Sequence, residues 1–277
     1  MSGVCELSAE SVRAGLGTRW MGRGLVFYAP ELPSTNAVLK EMARQGAPHG
    51  SVAVCHHQTA GRGRMSRSWE TPAGEALTFS VLLRPRLRPE EAQLCTLAAA
   101  VAVAGMISGR FPGLKARIKW PNDVVVEGRK VCGILSEAGF GADGLDYVVT
   151  GVGLNVNQQA FSGELADKAA SLLGLLRRTD GDAQPLNRAE LLRDFLSRFE
   201  EQMDRLEDGG FAAIRPMYEE LSATIGQAVQ VIAPTESYTG TARGVDETGA
   251  LLVERQDGTI ERVLCGDVSV RGLMGYV

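Results

Sequence analysis

Apolar positions along the chain switch between two periods, and the switches mark its elements. Residues 25–28 and 51–56 read as strands, and residues 76–83 as a third, where alternation gives way to a continuous apolar run before Pro85. Between the first two, Ser34 and Thr35 offer an N-cap for a helix whose apolar face is Val38, Leu39, Met42 and Ala43, stopped by Gly46. Pro89, Glu90 and Glu91 suit a first helical turn, and the alanine-rich segment behind them predicts a buried helix ending near Phe111, Pro112 and Gly113. Residues 116–120 predict a strand cut by Pro121, residues 124–127 and 131–138 the arms of a hairpin around Gly128 and Arg129, and residues 147–152 a further strand. Asn187 with Glu190 forms a capping box, and Leu191, Phe195, Phe199 and Met203 at i+4 spacing predict a long amphipathic helix.

From Ile225 the texture changes to short apolar segments at 228–232, 238–245, 250–254, 259–263 and 268–270, punctuated by Asp and Gly turns. This predicts a small barrel of about 50 residues. Residues 1–24, with a short helical signal over 8–16, are too few for a domain and are expected to pack as an extension. The expected organisation is an extension over 1–24, a main domain over 25–222 and a C-terminal domain over 225–277.

Composition narrows the function classes. A chain of 277 residues, 44% hydrophobic and 22% charged, can bury a real core. A net charge of -4 argues against coating nucleic acid, so contacts with anions should be local. The five cysteines, Cys5, Cys55, Cys95, Cys132 and Cys265, are odd in number and lack C-x-x-C spacing. They fit buried small hydrophobes in a reducing compartment and neither a disulfide frame nor a zinc site. The longest apolar run, residues 97–107, is too short to span a bilayer, and no basic region followed by an apolar core opens the chain. A cytoplasmic protein without membrane or nucleic-acid partners is expected.

One segment stands out against this acidic background. Gly61, Arg62, Gly63, Arg64 and Arg67 bring three permanent cations, with planar forks that match carboxylate and phosphate oxygens, into a glycine-containing loop ahead of Trp69. The spacing is neither a Rossmann fingerprint nor a P-loop. Three further segments need explaining: Ser34-Thr35-Asn36 with Gln58, then Lys119-Trp120-Pro121-Asn122-Asp123 with Lys130 and Gly133, and Gly151-Val152-Gly153-Leu154-Asn155. Each alone reads as a cap, a solvated loop or a turn.

In this order the segments, with Gly128-Arg129-Lys130-Val131-Cys132-Gly133, resemble the biotin protein ligases over roughly residues 25–275. The resemblance is to a monofunctional member without a DNA-binding domain. It implies an α+β fold: a mixed β-sheet catalytic domain with helices packed on one side, of the class II synthetase-like, biotin/lipoate ligase type, followed by a small SH3-like β-barrel. It also implies a two-step reaction. Biotin and ATP, with magnesium expected on the phosphates and its ligands unknown, give biotinyl-5'-AMP. A lysine on the biotin carboxyl carrier domain of acetyl-CoA carboxylase or a related carboxylase then accepts the biotinyl group.

The physical need fits the residues. A carboxylate must attack the α-phosphate of a highly charged nucleotide, and one unscreened like-charge contact at about 4 Å costs about 4 kcal/mol at an effective dielectric near 20. That is roughly a thousandfold in rate. By resemblance, Ser34, Thr35, Asn36, Gln58, Gly61 and Arg62 belong to the biotin site, with Gly133 and Gly151 leaving room for the ligand. Arg64 and Lys130 meet the biotin carboxylate and the α-phosphate. Arg62 and Arg67 help order the loop on the ligand, while Arg67, Trp69, Asn122, Asn155 and Arg271 serve the nucleotide, with Trp69 placed to pack on adenine and Asn155 to hydrogen-bond it. Asp123 is the candidate to assist deprotonation of the acceptor lysine, and Lys119 reads as structural. The family loop usually runs Gly-Arg-Gly-Arg-x-Gly-Arg, whereas Ser66 here replaces the last glycine. A loosened lid, disordered until biotin or the adenylate binds, is therefore expected.

Three other readings compete. A biotin-responsive DNA-binding repressor would need more chain ahead of the first strand. A lipoate or octanoate ligase lacks the arginine loop and Lys-Trp-Pro-Asn-Asp, and a non-catalytic biotin binder would not need Lys130. Whether the protein is a monomer or a homodimer is left open by the sequence.

Overall fold

A computed structural model describes residues 7–65, 67–69, 72–142, 144–233, 236–265 and 269–272. Two sheets organise it. Seven strands form the first: β1 (Val26–Leu32), β2 (Val52–Gln58), β3 (Ala76–Leu83), β4 (Ala116–Lys119), β5 (Asp123–Val126), β6 (Arg129–Gly141) and β7 (Gly144–Asn155). Their order is β1-β2-β3-β7-β6-β5-β4, parallel only between β1 and β2, so the sheet is mixed as expected. Strand β3 lies near the middle and is buried at all eight positions.

Successive strand residues point to opposite faces, and the core divides accordingly. Val52, Val54, Leu77, Phe79, Val81 and Leu83 face the main core, which contains α3 (Leu94–Arg110) and α5 (Arg188–Gly209). Leu191, Phe195, Phe199 and Met203 are all buried there, which is the i+4 face read from sequence. Ala53, Leu82, Tyr147 and Val149 point the other way and meet Leu39 and Ala43 of α2 (Thr35–Arg44). Helices on one side therefore describes α3 and α5, and α2 corrects it by covering the opposite face.

Helix α3 also revises a sequence expectation. With the 3-10 turn Pro89–Glu91 ahead of it, the helical stretch Pro89–Arg110 runs 22 residues and is apolar enough to cross a membrane. The run read from sequence, residues 97–107, covers only the middle of this stretch. In the fold this stretch is a core helix, buried between the sheet and α5.

The N-terminal segment packs on the body through α1 (Ala9–Arg13), capped by Ser8, with Leu7, Val12, Leu16 and Met21 in the main core. Two shorter helices, α4 (Leu172–Thr179) and α6 (Arg215–Leu221), occupy stretches in which the sequence showed no pattern. The second sheet contains β8 (Ala228–Ile232), β9 (Ser237–Val245), β10 (Leu251–Glu254), β11 (Ile260–Val263) and β12 (Ser269–Gly272), antiparallel in the order β11-β10-β9-β8-β12. Val268, placed in the last strand by sequence, lies outside the described residues, as do Cys5 and Ser66. Cys55, Cys95 and Cys132 are buried thiols, as expected, and Cys265 is half-buried.

Candidate active site

The C-terminal half of β7 is where the structure departs most usefully from the sequence. Gly151 to Asn155, which alone reads as a turn, continues the strand, paired with β3 throughout and with β6 as far as Leu154. Glycine weakens a strand interior unless something must approach closely, and here two side chains do. A Cβ on Gly151 would come within 2.2 Å of Asn36 Oδ1, and one on Gly153 within 2.3 Å of the Trp69 ring. Gly153 sits opposite Gly133 on β6, so the two glycines form a flat seat for the indole, whose edge would meet a Gly133 Cβ at 3.1 Å.

A β-bulge brings the charged residues together. Lys130 and Gly133 are three apart, so in a regular strand they would face opposite ways. The ladder pairs Asp123 with Gly133 but Val125 with Lys130, leaving Val131 as the extra residue. Lys130 consequently shares the face of Asp123 and Gly133, and its Nζ lies 2.6 Å from Asp123 Oδ1. Neighbouring backbone fixes the strand here: Lys130 N donates to Lys168 O at 2.7 Å, and Ala170 N donates to Lys130 O at 2.9 Å. Asn122 spans the gap to β6, its amide donating to Ile134 O at 2.9 Å while its Oδ1 accepts from Arg64 Nη1 at 3.1 Å.

The arginine loop forms a tight turn over this floor. Gly63 N donates to Arg67 O, Trp69 N donates to Gly61 O, and Arg62 bridges Ser68. A Cβ on Gly61 would lie 2.3 Å from Trp69 O, so the turn requires glycine there. Met65 takes a left-handed φ of 54°, an uncommon conformation for a side-chain-bearing residue.

At the other end of the cleft, Gln58 Oε1 accepts from both Thr35 N (2.7 Å) and Thr35 Oγ1 (3.1 Å). Ser80 Oγ lies 2.7 Å from Thr35 Oγ1 and 2.6 Å from Asn36 Oδ1. Asn36 donates to Leu135 O and to Glu137, and Ser34 caps α2. Asn36 thus acts as a buried brace beneath Gly151. Asn155 is likewise engaged internally, with its amide donating toward Ala170 O (3.2 Å) and Lys130 O (3.4 Å) and its Oδ1 accepting from Gln158. These bonds hold Asn155 behind Lys130, and it also lines the cleft, where the resemblance places a nucleotide contact.

These residues line one cleft of about 1480 Å³, larger than the 300–1,000 Å³ typical of a single small ligand and so roomy enough for two. Arg271 of β12 reaches it from the second sheet, and every sequence-nominated residue borders it except Gly61. Nine lining residues are Lys or Arg and four are Asp or Glu, a local cationic excess inside an acidic protein. Sequence reasoning missed part of this wall. Phe161, Glu164, Leu165, Asp167 and Lys168 come from a segment without periodicity or motif, and Arg129 and Arg178 converge on Glu127 at the rim.

Lys119 was undervalued. It is 9% exposed and lines the cleft, and burial pushes its ammonium down to about 8, with Lys130, Arg271 and Arg67 lowering it further and Asp123 opposing them. Asp123 offsets only part of the mutual repulsion of these four cations.

Residues 28–155 match the Biotin/lipoate A/B protein ligase family, and residues 224–271 match the Biotin protein ligase C terminal domain. Over 268 residues the chain is 34% identical to a biotin--[acetyl-CoA-carboxylase] ligase of Mycobacterium tuberculosis, covering 95% of this chain and 94% of that one. The chain belongs to the biotin protein ligase family. This ligase is also 35% identical over 267 residues to a bifunctional ligase/repressor of Bacillus subtilis, covering 96% of its own length and 79% of the relative's. A solved biotin protein ligase from Aquifex aeolicus, in complex with biotin and ATP, shares its fold with a TM-score of 0.74 at 28% identity, covering 90% of this chain and 99% of that one.

Lys119 gives a pH-dependent prediction. Its folded pKa is lowered, so between about pH 8 and its unfolded value near 10.4 the unfolded chain binds more protons and stability rises with pH. Below pH 8 the full penalty applies. A Lys119→Met variant of the ligase should therefore be more stable than wild type at pH 7 by about 1–3 kcal/mol. That gain should shrink toward pH 10, and adenylation should be slowed. Urea unfolding at the two pH values checks it, and an equal difference at both would contradict it.

Proposed function

We propose that the ligase activates biotin with ATP and transfers the biotinyl group to a lysine of a biotin carboxyl carrier domain of acetyl-CoA carboxylase or a related carboxylase. The observation that carries this reading is the convergence of Lys130, Asp123, Arg64 and Asn122 at the centre of a cationic cleft with room for both substrates.

In the first step a biotin carboxylate oxygen attacks the α-phosphorus, the bond to the pyrophosphate oxygen breaks, and a mixed anhydride forms. Arg64 and Lys130 hold the carboxylate and the phosphate against their mutual repulsion and stabilise charge on the transferring phosphate. Thr35 and Gln58, which satisfy each other in this structure, exchange that pairing for the ureido ring of biotin. Trp69, on its glycine seat, presents an aromatic face to the ligand. In the second step the acceptor amine attacks the acyl carbon and AMP leaves. Asp123, released from Lys130 as that ammonium turns to the substrates, takes the amine proton.

Among the described residues no group of three His, Cys, Asp or Glu side chains is placed to hold a metal. Magnesium therefore belongs to this reading as part of the nucleotide, carried on its phosphates. The unpaired buried thiols support a reducing compartment, the cytoplasm.

The test is transfer of labelled biotin to a purified carrier domain. Label should appear only with ATP and should be lost when the acceptor lysine is replaced by arginine. ATP-dependent labelling of the arginine variant, or none of the wild type, would overturn the acceptor assignment.

A further inference from the structure

We propose that Trp120 is a positioning residue for adenylation, tying the loop that carries Asn122 and Asp123 to the turn Asp246 to Ala250 of the second sheet. The proposal rests on the adenylating function above. Trp120 is 2% exposed and its indole Nε1 donates to Gly249 O at 3.1 Å, so the ring's one polar atom is committed to the C-terminal domain. Its backbone N donates to Thr224 Oγ1 at 2.9 Å, in the connection between the two sheets.

The turn is built to hold that carbonyl still. Asp246 Oδ1 accepts from Thr248 N, Thr248 Oγ1 and Ala250 N, each at 2.9 Å, and Asp246 Oδ2 pairs with Arg262. Gly249 has φ +84°, and a Cβ there would lie 2.6 Å from Leu97 Cδ1, so the turn rests directly on α3. Gln93, at the start of that helix, donates to Thr248 O at 2.5 Å. On the far side of Trp120, two residues on, Asn122 meets Arg64 and Ile134, and Asp123 meets Lys130. A short path of hydrogen bonds, joined by three peptide bonds of chain, thus runs from a braced turn in one domain to both reactive cations in the other.

A displacement of about 1 Å at a reacting centre is enough to cost large factors in rate. Trp120→Phe keeps an aromatic ring while deleting the N–H with the pyrrole half of the indole. Asp246→Asn weakens the same path from its other end without touching the cleft.

The experiment measures biotin-dependent exchange of pyrophosphate into ATP for wild type, both single variants and the double variant, normalised to folded fraction by circular dichroism. Each single variant should lower kcat about tenfold with the KM for biotin within about twofold of wild type. The double variant should lose no more than the worse single one, because both act on one path. Wild-type kcat in either single variant, losses that multiply in the double, or a loss fully accounted for by unfolded protein would each overturn the proposal. Absence of exchange in the wild type would instead overturn the functional reading beneath it.

Discussion

Replacing Lys130 by alanine is expected to slow biotinyl-adenylate formation about a thousandfold while the protein stays folded. The size follows from charge. Losing one cation at about 4 Å from the reacting carboxylate and phosphate, at an effective dielectric near 20, forfeits about 4 kcal/mol of transition-state stabilisation. The fold should tolerate it, because the side chain is 24% exposed at the cleft and the backbone pairing of Lys130 with residues 168 and 170 does not depend on it. Asp123 keeps Lys119 as a neighbouring positive charge, so its carboxylate is not stranded.

The second large effect concerns stability. Glu200 on α5 is 5% exposed, and its carboxylate accepts from three consecutive backbone N–H groups: Arg19 (2.7 Å), Trp20 (2.8 Å) and Met21 (2.8 Å). Burial alone would push this carboxyl up, yet the three N–H groups and the Arg19 guanidinium hold it below the ordinary range. A Glu200→Ala variant leaves those donors buried without a partner and should lose about 3–5 kcal/mol, read from the urea midpoint by tryptophan fluorescence. Since the folded pKa is depressed, the contribution is present above the unfolded value near 4.3 and fades as pH falls through the lower folded value. A loss below about 1 kcal/mol would show that the N-terminal segment is held by its apolar residues alone. The charge pair with Arg19, whose side chain is 73% exposed, adds little.

What could be read in the sequence was what is local. The capping of α5 by Asn187, the face of α2, the hairpin at Gly128 and the turns of the second sheet each follow from a few adjacent residues. So did the charged loop and its resemblance. What escaped depends on distant chain. Glu200 meets backbone some 180 residues away, and nothing near either end announces it. The bulge at Val131 changes which face Lys130 occupies without altering composition. Gly151 and Gly153 have poor strand propensity, overridden by ladders on both sides and required by Asn36 and Trp69 lying across them. Lys119 looked structural because a lysine at the end of a strand is ordinarily solvated; only the fold shows it buried among other cations.

Guanidinium and ammonium groups of one cleft are expected to bring biotin and ATP together for acyl-adenylate formation. Exchange of labelled pyrophosphate into ATP by wild type and Lys130→Ala, with biotin or lipoate as the acid, tests it most directly. Exchange should be rapid with biotin, slight with lipoate, and about a thousandfold less in the variant at unchanged folded fraction. Equal exchange by wild type and variant, or exchange driven by lipoate as well as by biotin, would contradict it.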